Sequence, residues 1–339
     1  MTAVLPRARH AHPTARGPRG MRLGMRTGIV LGLVSAVGLV AFGCQARPTR
    51  FGLGVAGLLV VSLLCSGKER GLLHVERGFF GVVRVRHDRK YNTHTLVHGS
   101  TNHGMQSLDP TRGSRPLCYY HRSGPLGDLF EMLSQRQRVK EIGIIGLGTG
   151  SIATYGQPGQ RITYYEIDPL VERIAHDPRY FTFLRDSQAE VEVVLGDARL
   201  TLARAPQAQY DLLILDAFSS DAIPIHLVTR EALKLYLDKL DEKGVLALHI
   251  SNRYLNLRPV LARLARDAGV ECRVCRDARI SEAEQQEGKF TSVWVVMARR
   301  CRDLGTLSEE TRWRPLTAQP DDPLWSDDFS NILAAMKPW

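Results

Sequence analysis

No carboxylate precedes Glu69 in this 339-residue chain, whereas eight Arg and one Lys lie within residues 1–68. With that segment set aside, 36 basic residues face 35 acidic ones, so the formal net charge of +10 belongs almost wholly to the N-terminus. The rest of the chain has no basic excess with which to grip a phosphate backbone, and nucleic acid is not an expected partner. Cysteine is also scarce. Six in a chain of this length exclude a disulfide scaffold. Cys44 and Cys65 sit in apolar runs, Cys118 precedes two tyrosines and Cys301 stands alone. Only Cys272 and Cys275 have metal-pair spacing, but they lack a second pair and lie in a strand-like ECRVC, so no metal is expected. His94, His98 and His103, at near-alternating spacing, straddle strands instead of converging. Internal repeats are missing, as are low-complexity tracts beyond the basic N-terminus.

The acid-free region holds two apolar runs, residues 27–46 and 51–67, separated by RPTR. A spanning helix needs about 20 residues, with roughly 17 as the lower limit, so both runs qualify and together predict a transmembrane helical hairpin. Six arginines precede the hairpin, while Lys68 and Arg70 follow it, which places both flanks in the cytoplasm. The localisation expected is the inner (cytoplasmic) membrane of a bacterium, with membrane lipid as a partner. A secretory or lipoprotein signal ending near Gly43 and Cys44 is the alternative.

From residue 72 the pattern changes. GVVRVRHD, YNTHTLVHG and the stretch around HGMQSL alternate apolar and polar residues, the signature of a small antiparallel sheet. From residue 141, EIGIIGLG, RITYYEID, VEVVLGD, YDLLILD and GVLALHIS are short apolar runs, with helix-like segments such as PLVERIA and REALKLYLDKL between them. That alternation implies a parallel sheet covered on both faces. ECRVCRDA and TSVWVVMARR bring the expected strands to seven. The fold class is therefore α/β: a Rossmann-like nucleoside-binding domain behind a small β-domain and an N-terminal hairpin. The expected divisions are residues 1–26 (basic segment), 27–67 (hairpin), 72–135 (β-domain), 136–302 (catalytic domain) and 303–339 (tail).

In such a sheet the ligand lies beyond the carboxyl ends of the strands. The first strand is followed by Gly146, Gly148, Thr149 and Gly150, a turn that lets backbone approach a ligand closely. Twenty residues after Gly146 stands Glu166, where an acid can accept from both hydroxyls of a ribose. Asp197, with Ala198 after it, ends the third strand and offers a carboxylate to an exocyclic amine such as that of adenine. Asp216 and Asp221 follow the fourth strand in LDAFSSDAIP. Helix capping is the competing reading for Asp197 and Asp221.

GLGTGSIATYGQPGQRITYYEID, GDAR and YDLLILDAFSSDAIP resemble the nucleoside domain of the polyamine aminopropyltransferases, the spermidine synthase family. LVHGSTNHGMQSLDP and PLCYYHRSGPLGDLF are similar to the small β-domain of its bacterial branch, in which a membrane portion precedes the synthase domain. The resemblance covers residues 72–300, and WSDDFSNIL near the C-terminus also fits it. It implies transfer of an aminopropyl group from decarboxylated S-adenosylmethionine to an amine such as putrescine, releasing methylthioadenosine. The nucleoside is then a co-substrate, and no permanently bound cofactor is implied. Asp216 matches the general base and Asp221 a diamine-binding acid. Tyr120 and His121 match an aromatic-polar pair in the substrate pocket, with His103 and Gln106 lining the same pocket. Glu166 and Asp197 match the ribose and adenine contacts. A homodimer is compatible with this reading.

The chain departs from the family at three places. DAFSSD sets its two acids two residues wider than usual, Arg122 stands where a Glu usually follows the pocket pair, and Thr149 replaces a glycine-loop aspartate. That aspartate would repel the carboxylate of intact S-adenosylmethionine. Two like charges about 4 Å apart cost about 4 kcal/mol at an effective dielectric of 20, roughly a thousandfold in affinity. With Thr149 there, intact S-adenosylmethionine also becomes a candidate ligand, and with it a lyase or a methyltransferase. A membrane protein that senses the nucleoside is the non-enzymatic alternative. In WSDDFSNIL, Asp327 and Asp328 read as the start of a capped terminal helix.

Overall fold

The computed structural model describes residues 38, 42–43, 46–65, 71–99, 101–136, 139–217, 223–252 and 254–336. Two compact units divide the chain, Met1–Arg70 and Gly71–Trp339. In the first unit, Pro48 to Cys65 form a helix, α1, with Leu53 and Leu59 exposed. The first apolar run falls almost entirely outside the described residues. Among the described residues, no helix is long and apolar enough to cross a membrane.

The second unit opens with a four-stranded antiparallel sheet, β1 (Leu72–Gly78), β2 (Gly81–Asp88), β3 (Thr93–His98) and β4 (Thr101–Ser107), in sequence order. Its alternation has the expected cause. Val83, Val85 and Leu96 are fully buried, while Arg84 and Arg86 between them are not.

A larger sheet follows, built from β5 (Glu141–Ile145), β6 (Arg161–Glu166), β7 (Glu190–Leu195), β8 (Tyr210–Leu215), β9 (Leu240–His249), β10 (Glu271–Asp277), β11 (Ser292–Ala298) and β12 (Trp313–Pro315). The spatial order is β12-β10-β11-β9-β8-β5-β6-β7. From β9 to β7 all pairs are parallel, whereas β11 is antiparallel to both β9 and β10. The order reverses between β5 and β8, which puts the topological switch point at Gly146 and Asp216.

Period-two alternation sorts the strand residues onto two cores. Ile142, Ile144, Leu212, Ile214, Val245 and Ala247 face helices α2 (Pro125–Ser134) and α3 (Pro169–His176). Leu213, Leu215, Leu246 and Leu248 face the other way, toward α5 (Arg230–Lys239) and α6 (Arg258–Ala268). Helix α4 (Ala198–Arg204) follows β7.

Among the described residues this sheet has eight strands where seven were expected. The eighth, β12, is three residues long, too short to carry a period, and is held by its pairing with β10. Among the described residues beyond 302, Trp313 and Trp325 are buried. Asp327 accepts two hydrogen bonds from Arg199, at 2.6 and 2.8 Å, and one from Thr229, so it clamps α4 to the C-terminal segment. Cys272 and Cys275, three apart in a strand, belong to opposite cores, and this separates the only pair with metal-like spacing.

Candidate active site

A cleft opens at the carboxyl ends of β5, β6, β7 and β8, lined by Gly146, Gly148, Glu166, Asp197, Ala198 and Asp216, with His103 contributed by β4. Gly146 has φ +97°, and a Cβ there would lie 2.4 Å from the carbonyl oxygen of Asp216. Only glycine lets the first and fourth strand ends approach this closely.

Glu166 joins two loops. Its Oε2 accepts from the Leu147 N–H and its Oε1 from the Asp168 N–H, both at 2.9 Å. Burial pushes its carboxyl above the ordinary range, and the backbone donors oppose this without cancelling it. Each oxygen keeps a lone pair for a ligand hydroxyl. Asp197 both caps a helix and lines the cleft. Its Oδ1 caps α4 by accepting from Arg199 and Leu200, its Oδ2 lies 3.5 Å from His226 Nε2, and it still lines the cleft.

Asp216 is the centre of the polar network. Its side chain is 4% exposed. Oδ2 accepts from the Tyr120 hydroxyl at 2.5 Å, and Oδ1 lies 2.7 Å from His249 Nδ1. Tyr120 reaches it from a loop pinned across the unit, where the Cys118 N–H donates to Gly288 and the Phe290 N–H donates back to Cys118. Burial, and then the nearby Asp216 charge, raise the Tyr120 hydroxyl well above its ordinary range, so Tyr120 stays a donor.

Not every expected residue reaches the cleft. Thr149 is fully buried, with Oγ1 2.7 Å from Ser151 Oγ and its side chain packed on Gly104; neither it nor Gly150 lines the cleft. The chain turns away after Gly148 because Gly150, at φ +78°, starts a 3-10 turn. Gln106 is engaged elsewhere. It accepts from the Thr182 N–H at 2.8 Å and donates to Thr182 Oγ1 and the Gly113 carbonyl. His121 lies against Ser123, with Nε2 3.7 Å from Glu287, and does not line the cleft. Asp221 lies outside the described residues. Among those residues no cluster of three or more His, Cys, Asp or Glu is placed to hold a metal.

Sequence reasoning passed over His249. Leu215 pairs with Leu248 in parallel register, so the next residues, Asp216 and His249, stand side by side. The signal was available: His249 ends its apolar strand just as Asp216 follows its own. Tyr119 and Trp294, which stack on the two sides of the imidazole at 4.2 and 4.8 Å, carried no such signal, since only the tertiary fold brings them there.

No family model matches the chain. It is 32% identical over 202 residues to the polyamine aminopropyltransferase of Vibrio vulnificus strain CMCP6, covering 56% of this chain and 64% of that protein. The chain is thus similar to a polyamine aminopropyltransferase over part of its length. A probable polyamine aminopropyl transferase from Bifidobacterium longum strain NCC 2705 is 30% identical over 111 residues, 32% of this chain and 23% of that protein. The chain thus matches less than two thirds of the length of either aminopropyltransferase. Among solved structures, a probable spermidine synthase from Corynebacterium glutamicum ATCC 13032 superposes with a TM-score of 0.54 at 14% identity, over 76% of this chain and 97% of that one. A spermidine synthase in complex with the transition state analogue AdoDATO superposes with a TM-score of 0.50 at 12% identity, over 76% and 82%. At these identities the superpositions establish a shared spermidine synthase fold.

Proposed function

We propose that this protein is an aminopropyltransferase that takes decarboxylated S-adenosylmethionine and a polyamine acceptor such as putrescine. The observation that carries the reading is Asp216, a buried carboxylate at the switch point, oriented by two donors in a cleft that also holds Glu166 and Asp197. Glu166 suits a ribose diol, and Asp197 an adenine amine.

In the reaction the acceptor nitrogen attacks the methylene beside the sulfonium. A C–N bond forms, the C–S bond breaks with its electrons going to sulfur, and methylthioadenosine leaves. An amine with an ordinary value near 10.4 arrives protonated, so a carboxylate must hold the cation and take its proton as attack begins. Asp216 serves both needs. The lyase and methyl-transfer readings rested on Thr149 in place of an acid. With its side chain enclosed against Gly104, Thr149 puts no charge into the cleft, so intact S-adenosylmethionine remains the competing ligand that the test separates.

The test offers intact and decarboxylated S-adenosylmethionine separately, with and without putrescine, and follows methylthioadenosine by mass. Product is expected only from the decarboxylated ligand with the amine. Asp216→Asn should lower that turnover by roughly a hundred- to ten-thousandfold while leaving nucleoside binding intact. Methylthioadenosine formed from intact S-adenosylmethionine without an amine would overturn the reading in favour of a lyase.

Localisation at the inner membrane, with the catalytic unit in the cytoplasm, is part of the same proposal. It is supported by the acid-free apolar N-terminus and by the exposed Leu53 and Leu59 of α1.

A further inference from the structure

We propose that His249 is a positioning residue for Asp216, its ring proton held on the carboxylate side and its far nitrogen met by Ser251; the inference rests on the aminopropyl-transfer reading above. The hydrogen atoms can be assigned in order. The Val293 N–H donates to Ser251 Oγ at 2.7 Å. The Asp216 carboxylate can only accept, so His249 Nδ1, 2.7 Å from Oδ1, carries the ring proton and donates it. Nε2 of the neutral ring is then an acceptor, and Ser251 Oγ, 2.8 Å away, has a hydroxyl hydrogen to give it.

The imidazole cannot swing out of this arrangement. It is 3% exposed and sandwiched, with interplanar angles of 24° to Tyr119 and 22° to Trp294. Tyr120 holds Oδ2 from the other side, so both carboxylate oxygens are oriented before an amine arrives. A carboxylate free to rotate would have to be reoriented at each turnover, and preorganisation removes that requirement.

Ser251 and His249 also line a second cavity of about 620 Å³ together with Asn102, Asn252 and Asp277, whereas Asp216 lines the nucleoside cleft. His249 thus borders the second cavity while its Nδ1 reaches Asp216. Asp277 lies 3.0 Å from Lys289 and 3.5 Å from Arg312, so the second cavity offers no unpaired acid to compete with Asp216 for a cationic amine.

Three variants of the full-length chain and one spectroscopic measurement test the proposal. His249→Gln supplies an amide N–H to Asp216 and an amide oxygen to Ser251, and it should keep kcat within about fivefold. His249→Phe fills the space between the two aromatic rings without a donor. It should lower kcat by roughly ten- to hundredfold, the loss expected for a hydrogen bond to a charged group, with the KM for the nucleoside within about twofold. Ser251→Ala should fall between the two. Ring nitrogen-15 shifts of the wild type should report a protonated Nδ1 and an unprotonated Nε2. Equal losses of kcat in His249→Gln and His249→Phe, with both folded and binding nucleoside, would overturn the proposal, as would an Nε2-protonated ring in the wild type. A wild type that forms no methylthioadenosine would instead overturn the functional reading. The nitrogen shifts then decide the ring geometry without turnover.

Discussion

Glu166 shows how one carboxylate can serve structure and ligand together. It bridges the loops after β5 and β6 through two N–H donors while lining the cleft proposed to hold the nucleoside. Because burial raises its folded pKa, the folded state holds this proton more tightly than the unfolded chain does. The associated stability is present below the ordinary value of 4.5 and is lost as pH rises through the raised value, so at neutral pH the charged form is a cost. Glu166→Gln should therefore flatten the dependence of the unfolding midpoint on pH across that window. The same change should raise the nucleoside Kd by roughly ten- to hundredfold, since a charged acceptor is lost. Calorimetric titration and thermal unfolding across pH read the two effects separately, and an unchanged Kd would remove Glu166 from the binding site. At the same scale, Asp216 and His249 differ in how they were found. Asp216 was legible as an acid after an apolar strand at a switch point. His249 became visible once the Leu215 and Leu248 register set the two strand ends side by side.

Among the elements, β4 and the glycine loop after β5 meet at a contact no local pattern announces. Gly104 has φ +141°, and a Cβ there would lie 2.2 Å from Thr149 Oγ1. Gly104→Ala should destabilise the fold by about 1–3 kcal/mol through backbone strain and overpacking. Adding Thr149→Ala should recover part of that loss but not all, because the positive φ persists. Denaturant unfolding of the two single variants and the double variant measures the coupling, and strictly additive effects would show that the contact is not the cause. The strands themselves were readable. Those buried on both faces run continuously apolar, as EIGII does, while the half-buried strands of the small sheet alternate. β12 was not readable, since three residues define neither period.

For the whole molecule, the division at residues 70 and 71 separates the charge imbalance from the chemistry. A fragment from Gly71 to Trp339 should be recovered in the soluble fraction and bind nucleoside with the affinity of the full chain, while the full chain should sediment with membranes and resist a salt wash. Full-length protein recovered in a salt-washed soluble fraction would remove the membrane proposal. It would leave the catalytic reading intact, because every cleft residue lies after Gly71.

What the amino-acid sequence determined by itself is the α/β alternation, the strand ends that carry acids and the segregation of basic charge. Each of these follows from local periodicity or from counting, and neither depends on which distant residues meet. What only the tertiary structure decided is the set of neighbours: Tyr120 and His249 on Asp216, Gly104 on Thr149, and Gln106 held by Thr182 instead of reaching the cleft. These partners are separated by 96, 33 and 76 residues for Tyr120 with Asp216, His249 with Asp216 and Gln106 with Thr182. Periodicity is a property of a short window of chain, whereas a hydrogen bond depends on separation in space, and packing both faces of the sheet is what brings such distant residues within 3 Å.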